Sequence, residues 1–230
     1  AHMEPDVLLV DEVLSVGDWA FQRKCVEKMG SFVRNGITIV FISHNLQAVA
    51  SLCNRTLLIN QGSIVANGPT ENVVIHYLQN AMLPSKLQEV KPQIWIKEVN
   101  VYNQDTQLMG HFKSGENVKI DVEIVSQTYE RNLALGIYIL DQNYYSVFNT
   151  SSERLGYRTF SIRNGEVLRL RFNVCLHLCQ GTYYLGAIIK RYDIDKTFDT
   201  KFPAATLLLN SDEGVRGVAN LYPTFMIGKK

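Results

Sequence analysis

The sequence predicts two domains of different class: an α/β layer on a parallel sheet over residues 4–81, and an all-β sandwich or jelly roll over residues 94–230. Three observations carry that prediction. Up to residue 81, short apolar runs alternate with helix-length amphipathic segments, the order expected of a parallel-sheet layer. From Ile94 onward the apolar residues recur at every second position, the period of a half-buried strand. Between them, residues 82–93 carry Leu83-Pro84-Ser85-Lys86 and Lys91-Pro92-Gln93, polar, proline-bearing and aperiodic, which marks a linker.

In the first half, Val7–Val10 is a continuous apolar run suited to a strand buried on both faces. A helix is predicted over 18–34, with Trp19, Val26, Met29 and Val33 on one stripe. Asn35-Gly36 stops it, because those residues tolerate the left-handed cap conformation. Ile37–Ile42 reads as a second buried strand, Leu46–Cys53 as a short helix and Arg55–Asn60 as a third strand. Gln61-Gly62 turns the chain into Ser63–Ala66, and Pro69 opens a helix running through Tyr77.

In the second half, Val118, Ile120, Val122 and Ile124 alternate with Lys119, Asp121 and Glu123. Leu168, Leu170, Phe172 and Val174 alternate with Arg169, Arg171 and Asn173. Further strands fit 94–102, 133–140, 144–149, 182–191, 205–209 and 221–227, with no helix among them. Turn residues separate them at Ser114-Gly115, Asp141-Gln142-Asn143, Asn164-Gly165, Gln180-Gly181 and Asn210-Ser211-Asp212. About eight short strands so spaced indicate a sandwich or jelly roll.

Composition narrows the function classes. With 23 Lys+Arg against 22 Asp+Glu, the net charge of +1 offers no electrostatic case for a nucleic-acid partner. No apolar run reaches the roughly 18 residues that span a bilayer. No signal peptide is read, and Ala1-His2-Met3 has the form of a cloning remnant. Four scattered cysteines fit a reducing cytosol better than a disulfide framework. Cys175, His177 and Cys179 alternate along one face, but a zinc site would need a fourth ligand and a turn around the metal. Buried or edge thiols are the favoured reading.

The chemistry-bearing motif is Pro5-Asp6-Val7-Leu8-Leu9-Val10-Asp11-Glu12, a buried strand ending in adjacent carboxylates. The carboxyl edge of a parallel strand opens into a ligand crevice. There one acid can hold Mg²⁺, mostly through water, and the next can polarise an attacking water. One helix later, Ile39-Val40-Phe41-Ile42-Ser43-His44 ends in Ser-His, which brings His44 to the same crevice in a parallel sheet. Either feature alone also fits an ordinary solvated strand end.

Together these motifs resemble the ABC-transporter ATPase family. The resemblance makes Asp11 the Walker B aspartate that holds Mg²⁺, Glu12 the catalytic glutamate and His44 the switch histidine facing the γ-phosphate. Leu14-Ser15-Val16-Gly17-Asp18 occupies the D-loop position, with Asp18 at its end, and departs from the usual Ser-Ala-Leu-Asp. That departure is similar to the subfamily exporting bacterial cell-surface polysaccharides. The segment Leu58–Gly68 looks like the closing hairpin of such a nucleotide-binding domain. No Gly-rich Walker A loop precedes residue 4 and no Leu-Ser-Gly-Gly-Gln signature occurs. The expectation is therefore a C-terminal piece of a longer subunit. ATP and Mg²⁺ belong to its intact parent, and the piece alone neither binds ATP tightly nor turns it over.

The layout resembles the ATP-binding subunits of O-antigen exporters of the Wzt type. The resemblance implies a β-sandwich carbohydrate-binding domain that recognises the modified non-reducing end of a lipid-linked glycan. It further implies a homodimer attached through a transmembrane permease to the cytoplasmic side of the inner membrane. A sugar site asks for aromatic rings and planar polar groups on one solvent-facing sheet. On the strand Gly181–Tyr192, Tyr184, Gly186, Ile188, Lys190 and Tyr192 face one way, and Tyr183, Leu185, Ala187, Ile189 and Arg191 the other. The first, more polar set is the candidate binding face. Arg169 and Arg171 are candidates for an acidic or phosphate-bearing cap, and Tyr138, Tyr144, Tyr145 and Tyr157 are further aromatic candidates. Each also fits ordinary sandwich packing or a wet strand face. Two other readings remain: a dimerisation or docking module without a glycan ligand, and a glycoside hydrolase using Asp121 and Glu123, about 7 Å apart along one strand face.

Overall fold

A computed structural model describes residues 5–11, 19–81, 92–105, 107–211 and 214–223. The chain divides into two compact units between Tyr77 and Leu78.

In the first unit, β1 (Val7–Asp11) pairs in parallel with β2 (Thr38–Ile42), Val7 opposite Thr38 and Asp11 opposite Ile42. The connection runs through α1 (Trp19–Arg34), a strand–helix–strand unit as the alternation predicts. Gly36 takes a positive φ of 82° just past α1, and its N–H donates to Val33 O, so Asn35-Gly36 closes the helix as expected. Next, α2 (Leu46–Leu52) is capped by Asn45, whose Oδ1 accepts from Ala48 N at 3.0 Å. A hairpin of β3 (Arg55–Asn60) and β4 (Ser63–Pro69) turns at Gln61-Gly62, both at positive φ. Helix α3 (Thr70–Ala81) follows and runs across the boundary between the units; Pro69 is the last residue of β4, and the helix ends four residues beyond Tyr77.

One expectation is corrected here. The sequence predicts that the first two strands are buried on both faces, yet they are covered on one. Leu8, Val10, Ile39 and Phe41 pack with Cys25, Val26, Met29, Ala48 and Leu52 from α1 and α2. On the other face Leu9 is 74% exposed, and Val7, Val40 and Ile42 are exposed with it. An apolar run shows that both faces can be covered; which face is covered depends on the elements that pack there.

The second unit is a sandwich. Strands β5 (Ile94–Tyr102), β7 (Asn117–Ser126) and β11 (Val167–Cys175) form one antiparallel sheet in the order β11-β7-β5. The other sheet has the order β10-β8-β12-β13-β6. Its members are β6 (His111–Lys113), β8 (Glu130–Asp141), β10 (Phe160–Ile162), β12 (Gly181–Arg191) and β13 (Lys196–Asn210). The sixth strand, β9 (Ser146–Ser151), shares the outer edge of β8 with β10. Between the sheets lie Ile120, Val122 and Ile124 from β7, Leu133, Leu135, Ile137 and Ile139 from β8, and Leu185, Ala187 and Ile189 from β12. These are the alternating apolar sets of the sequence, and their burial from both sheets is the main stabilising term.

The strand expected at 205–209 is the end of a much longer one. Three residues of β13, Phe202 to Ala204, stand opposite Gly186 alone, because Leu185 pairs with Ala205 and Ala187 with Lys201. Pro203 sits in that bulge, where no ladder N–H is required. The strand expected at 221–227 falls partly outside the described residues. Residues 214–223 form a strap that bridges Leu178 to Ala219.

Candidate functional site

The alternation of β12 and β8 builds the outward face of the larger sheet. Tyr183, Leu185, Ala187 and Ile189 point into the core, so Tyr184, Gly186, Ile188 and Lys190 point out, as the sequence reading divides them. The register sets Gly186 opposite Tyr138, and Ile188 opposite Gly136. Each glycine admits its neighbour: a Cβ at Gly186 would run into the Tyr138 ring, and one at Gly136 into Ile188. Four rings then line up across the face. Tyr144 stacks on Tyr184 (centroids 5.5 Å), Tyr184 meets Phe202 edge-on (6.3 Å), and Phe202 stacks on Tyr138 (5.7 Å).

Beside this row lies a cavity of about 370 Å³, lined by Gly136, Tyr138, Asn149, Arg154, Ile188, Lys190, Tyr192 and Thr200 among others. Burial pushes the Tyr138 phenol well above its ordinary pKa, so its hydroxyl keeps its proton throughout the physiological range. Lys190 Nζ lies 5.5 Å from the Tyr192 ring centroid and 2.6 Å from Asp195 Oδ1. Arg154 Nη1 donates to Asn149 Oδ1 at 2.9 Å. Thr200 Oγ1 is buried without a hydrogen-bond partner among the described residues. Such a surface combines ring faces with amide, hydroxyl and cationic donors, and its lining contains no carboxylate. It can bind, and it lacks the acid pair that hydrolysis of a glycosidic bond requires.

The structure separates the six predicted sugar-contact residues. Tyr138, Lys190 and Tyr192 meet in the cavity. Tyr184 is 7% exposed and is taken up by packing between Tyr144 and Phe202. Arg169 and Arg171 lie on the other sheet and are already paired. Arg171 Nε and Nη2 donate to the two oxygens of Asp121 at 2.5 and 2.7 Å, and Arg169 Nη2 donates to Glu123 at 3.2 Å. Lys97 Nζ also donates to Glu123, at 2.6 Å. The face that offered both an acidic-cap site and an acid pair for hydrolysis is thus a ladder of cross-strand ion pairs. The sequence reading missed Arg154, Asn149, Thr200 and Phe202. Arg154 lies in a turn after β9, and Thr200 and Phe202 in the part of β13 interrupted by Pro203, so no periodicity marked them.

For the nucleotide motif, Asp11 is exposed at the carboxyl end of β1, opposite Ile42, and exposed His44 lies two residues beyond β2. Both therefore stand at the same edge of the parallel pair. An acid there fits a hydrated Mg²⁺. Glu12 and Asp18 lie outside the described residues. All four cysteines are free thiols; Cys175 Sγ contacts Gly115 O at 3.2 Å, and the His177 ring meets Tyr222 edge-on. Among the described residues no three His, Cys, Asp or Glu side chains converge as metal ligands, and no helix is long and apolar enough to cross a membrane.

Residues 91–221 match the family model of the Wzt C-terminal domain. The chain is 49% identical over 76 residues to the teichoic acids export ATP-binding protein TagH of Levilactobacillus brevis, covering 33% of this chain and 21% of that protein. It is 40% identical over 79 residues to the O-antigen export system ATP-binding protein RfbB of Klebsiella pneumoniae, covering 34% and 32%. The matches thus span between a fifth and a third of these relatives' length. The crystal structure of the C-terminal domain of wzt superposes with a TM-score of 0.56 at 16% identity, over 60% of this chain and 86% of that one, a likeness of fold.

Proposed function

The chain belongs to the Wzt C-terminal domain family, and we propose that its β-sandwich binds the modified non-reducing end of a lipid-linked bacterial glycan and so licenses its export. On this reading the chain is part of the ATP-hydrolysing subunit of a polysaccharide ABC exporter. Asp11, Glu12, Asp18 and His44 serve the ATP and Mg²⁺ site of the intact subunit, which works as a homodimer against a transmembrane permease on the cytoplasmic side of the membrane. The names of the relatives, export ATP-binding proteins in both cases, support the exporter half of the reading.

The observation that carries the glycan half is the cavity on the outward face of the larger sheet. The Tyr192 ring offers a face to the C–H side of a sugar above a floor formed by the largely buried Tyr138, 8% exposed and stacked on Phe202, while Asn149, Thr200, Lys190 and Arg154 offer donors and acceptors to its hydroxyls. Titration of the full chain with oligosaccharides released from bacterial surface polysaccharides tests it. Saturable binding is expected to weaken about ten-fold in Tyr138→Ala and in Tyr192→Ala, the loss of roughly 1.4 kcal/mol that one ring contact supplies. Binding that neither substitution affects would place the ligand elsewhere and end this assignment.

A further inference from the structure

Helix α3 is fastened at its two ends by different units. At its start, Thr70 N donates to Asn54 O at 3.2 Å, and Thr70 Oγ1 donates to Cys53 O at 2.7 Å. Val73 and Val74 are buried within the same first unit. The helix continues unbroken past Tyr77, where the units divide, to Ala81. Near its end, Gln79 Nε2 donates to Phe202 O at 2.7 Å, and both of those residues belong to the second unit. Phe202 lies in the bulge of β13 opposite Gly186, so the register leaves it without a ladder partner on β12. It is 2% exposed, and a buried carbonyl requires a donor, which Gln79 supplies. The Phe202 ring stacks on Tyr138, and Tyr138 lines the cavity on the outward face. One run of contacts therefore leads from the cavity through Tyr138 and Phe202 to the last turn of α3.

We infer that Gln79 is a positioning residue for the cavity, and that the last turn of α3 responds to whether the cavity is filled. This linkage rests on the glycan-binding reading and deepens it by naming how binding reaches the helix shared with the first unit. The switching element is the helix end itself. The last carbonyls of a helix have no partner within it, so its final turn frays unless a contact from outside holds it. Here the contact is the bond from Gln79 to the bulge. A saccharide seated over Tyr138 holds that ring on Phe202, keeps the bulge carbonyl in place and favours the wound turn. Coupling of this kind is reciprocal: the factor by which saccharide favours the wound turn is the factor by which the wound turn favours saccharide. Its size is bounded by the bond that carries it. One neutral hydrogen bond sets a ceiling of about ten-fold. Gln79 is exposed, which brings the expected factor down to about two- to five-fold. Thr70, Val73 and Val74 stay fixed throughout, so the change falls on the joint where the units meet and spares the packed start of the helix.

The test uses the full chain, hydrogen exchange and calorimetry, with oligosaccharides released from bacterial surface polysaccharides as the probe. Without saccharide, Gln79→Met and Tyr138→Ala are each expected to speed exchange in the last turn of α3 by about two- to five-fold, while Val73 and Val74 keep their rates. Methionine is unbranched like glutamine and matches its helix propensity, so the substitution removes the donor and little else. Gln79→Lys restores a donor and is expected to recover the parent rate. With saccharide bound, exchange in that turn slows, and Gln79→Met weakens binding by the same factor although every cavity residue is intact. Thermal melting establishes that each variant is folded, and Phe202→Leu replaces Tyr138→Ala if the latter is not. Unchanged exchange in the last turn of α3 when the ring stack is removed overturns the linkage with no ligand needed. Equal losses in Gln79→Met and Gln79→Lys overturn the role of the Gln79 hydrogen bond. A saccharide that shifts the Tyr192 resonances yet leaves α3 exchange and the affinity of Gln79→Met unaltered also overturns the linkage, and the glycan reading then stands without it. If no saccharide binds, the glycan reading falls and the linkage falls with it.

Discussion

The ring of Tyr138 lies across the backbone of Gly186, the residue directly opposite it on the neighbouring strand. The glycine is what lets the ring lie flat enough to stack on Phe202. Gly186→Ala is expected to turn Tyr138 out of that stack, reduce stability by about 1–3 kcal/mol, and weaken saccharide binding in the adjoining cavity. Thermal melting and a saccharide titration check both effects; a variant that melts like the parent chain would show that Gly186 does not set the ring.

Arg171 and Asp121 form a two-bonded pair on the opposite sheet, with the Asp121 side chain 8% exposed and that of Arg171 45% exposed. Removing the arginine strands a buried carboxylate. Arg171→Ala is expected to destabilise the sandwich, by less than the loss of a fully buried pair because Arg171 is half in solvent. Arg169→Ala should cost less than about 1 kcal/mol, since Glu123 keeps Lys97 and Arg169 is itself 68% exposed. Chemical denaturation measures the difference. Neither substitution should change saccharide affinity, because neither residue lines the cavity.

Two aspartates make stability depend on pH with opposite signs. Hydrogen bonds from Arg191, and then from Asn132, hold the Asp193 carboxyl down at about 2. Burial pushes Asp199 up, although it accepts from Ile96 N at 2.7 Å. A depressed carboxyl adds stability above its unfolded value of about 3.9, and that stability is lost as pH falls toward the folded value. A raised carboxyl does the reverse: its ionisation is unfavourable in the fold, so stability rises as pH falls through its folded value toward about 3.9. Asp199→Asn should therefore flatten the pH dependence above that point, and Asp193→Asn the dependence below it. The effect of Asp193 is small because its pair is open to solvent. Carbon-13 titration of the two carboxyls, with urea unfolding across the same range, checks the order and both signs.

The strap at residues 214–223 is fastened at one polar residue. Asn220 is 1% exposed; its Nδ2 donates to Ser114 Oγ at 3.1 Å and its Oδ1 accepts from Tyr222 N at 2.9 Å. Tyr222 covers Gly115, whose missing side chain leaves room for the phenol. Asn220→Ala is expected to cost about 1–3 kcal/mol through the groups left unpaired. It should also speed hydrogen exchange at Cys179 N, which donates to Val218 O. Unchanged exchange there would mean the strap is held by other contacts.

Periodicity made the sandwich legible where a strand alternates cleanly. The inward and outward sets of β12 follow from the sequence alone, because Tyr183 to Ile189 offer large apolar groups at every second position. The first nine residues of β13 were illegible for an equally physical reason. Pro203 and three successive residues opposite Gly186 break the two-residue period. The partners of Arg169 and Arg171 were hidden because alternation reveals a face and says nothing of register. Asp121 is 50 residues from Arg171 in the chain, and only the β7–β11 pairing brings them together. Arg154 was hidden because turn residues carry no period at all.

The walls of the cavity differ in how freely they can be altered. Tyr138 and Ile188 stand on central strands whose alternate residues are the core, so exchanging them disturbs the sandwich itself. Asn149 and Arg154 belong to a six-residue edge strand and the turn after it, where substitutions leave the packed interior alone. Selection can therefore retune what the cavity prefers by editing its border while the barrier to unfolding stays untouched. Among relatives of this domain, divergence in ligand preference should concentrate in the segment corresponding to residues 146–157, and the glycine-backed floor should drift least.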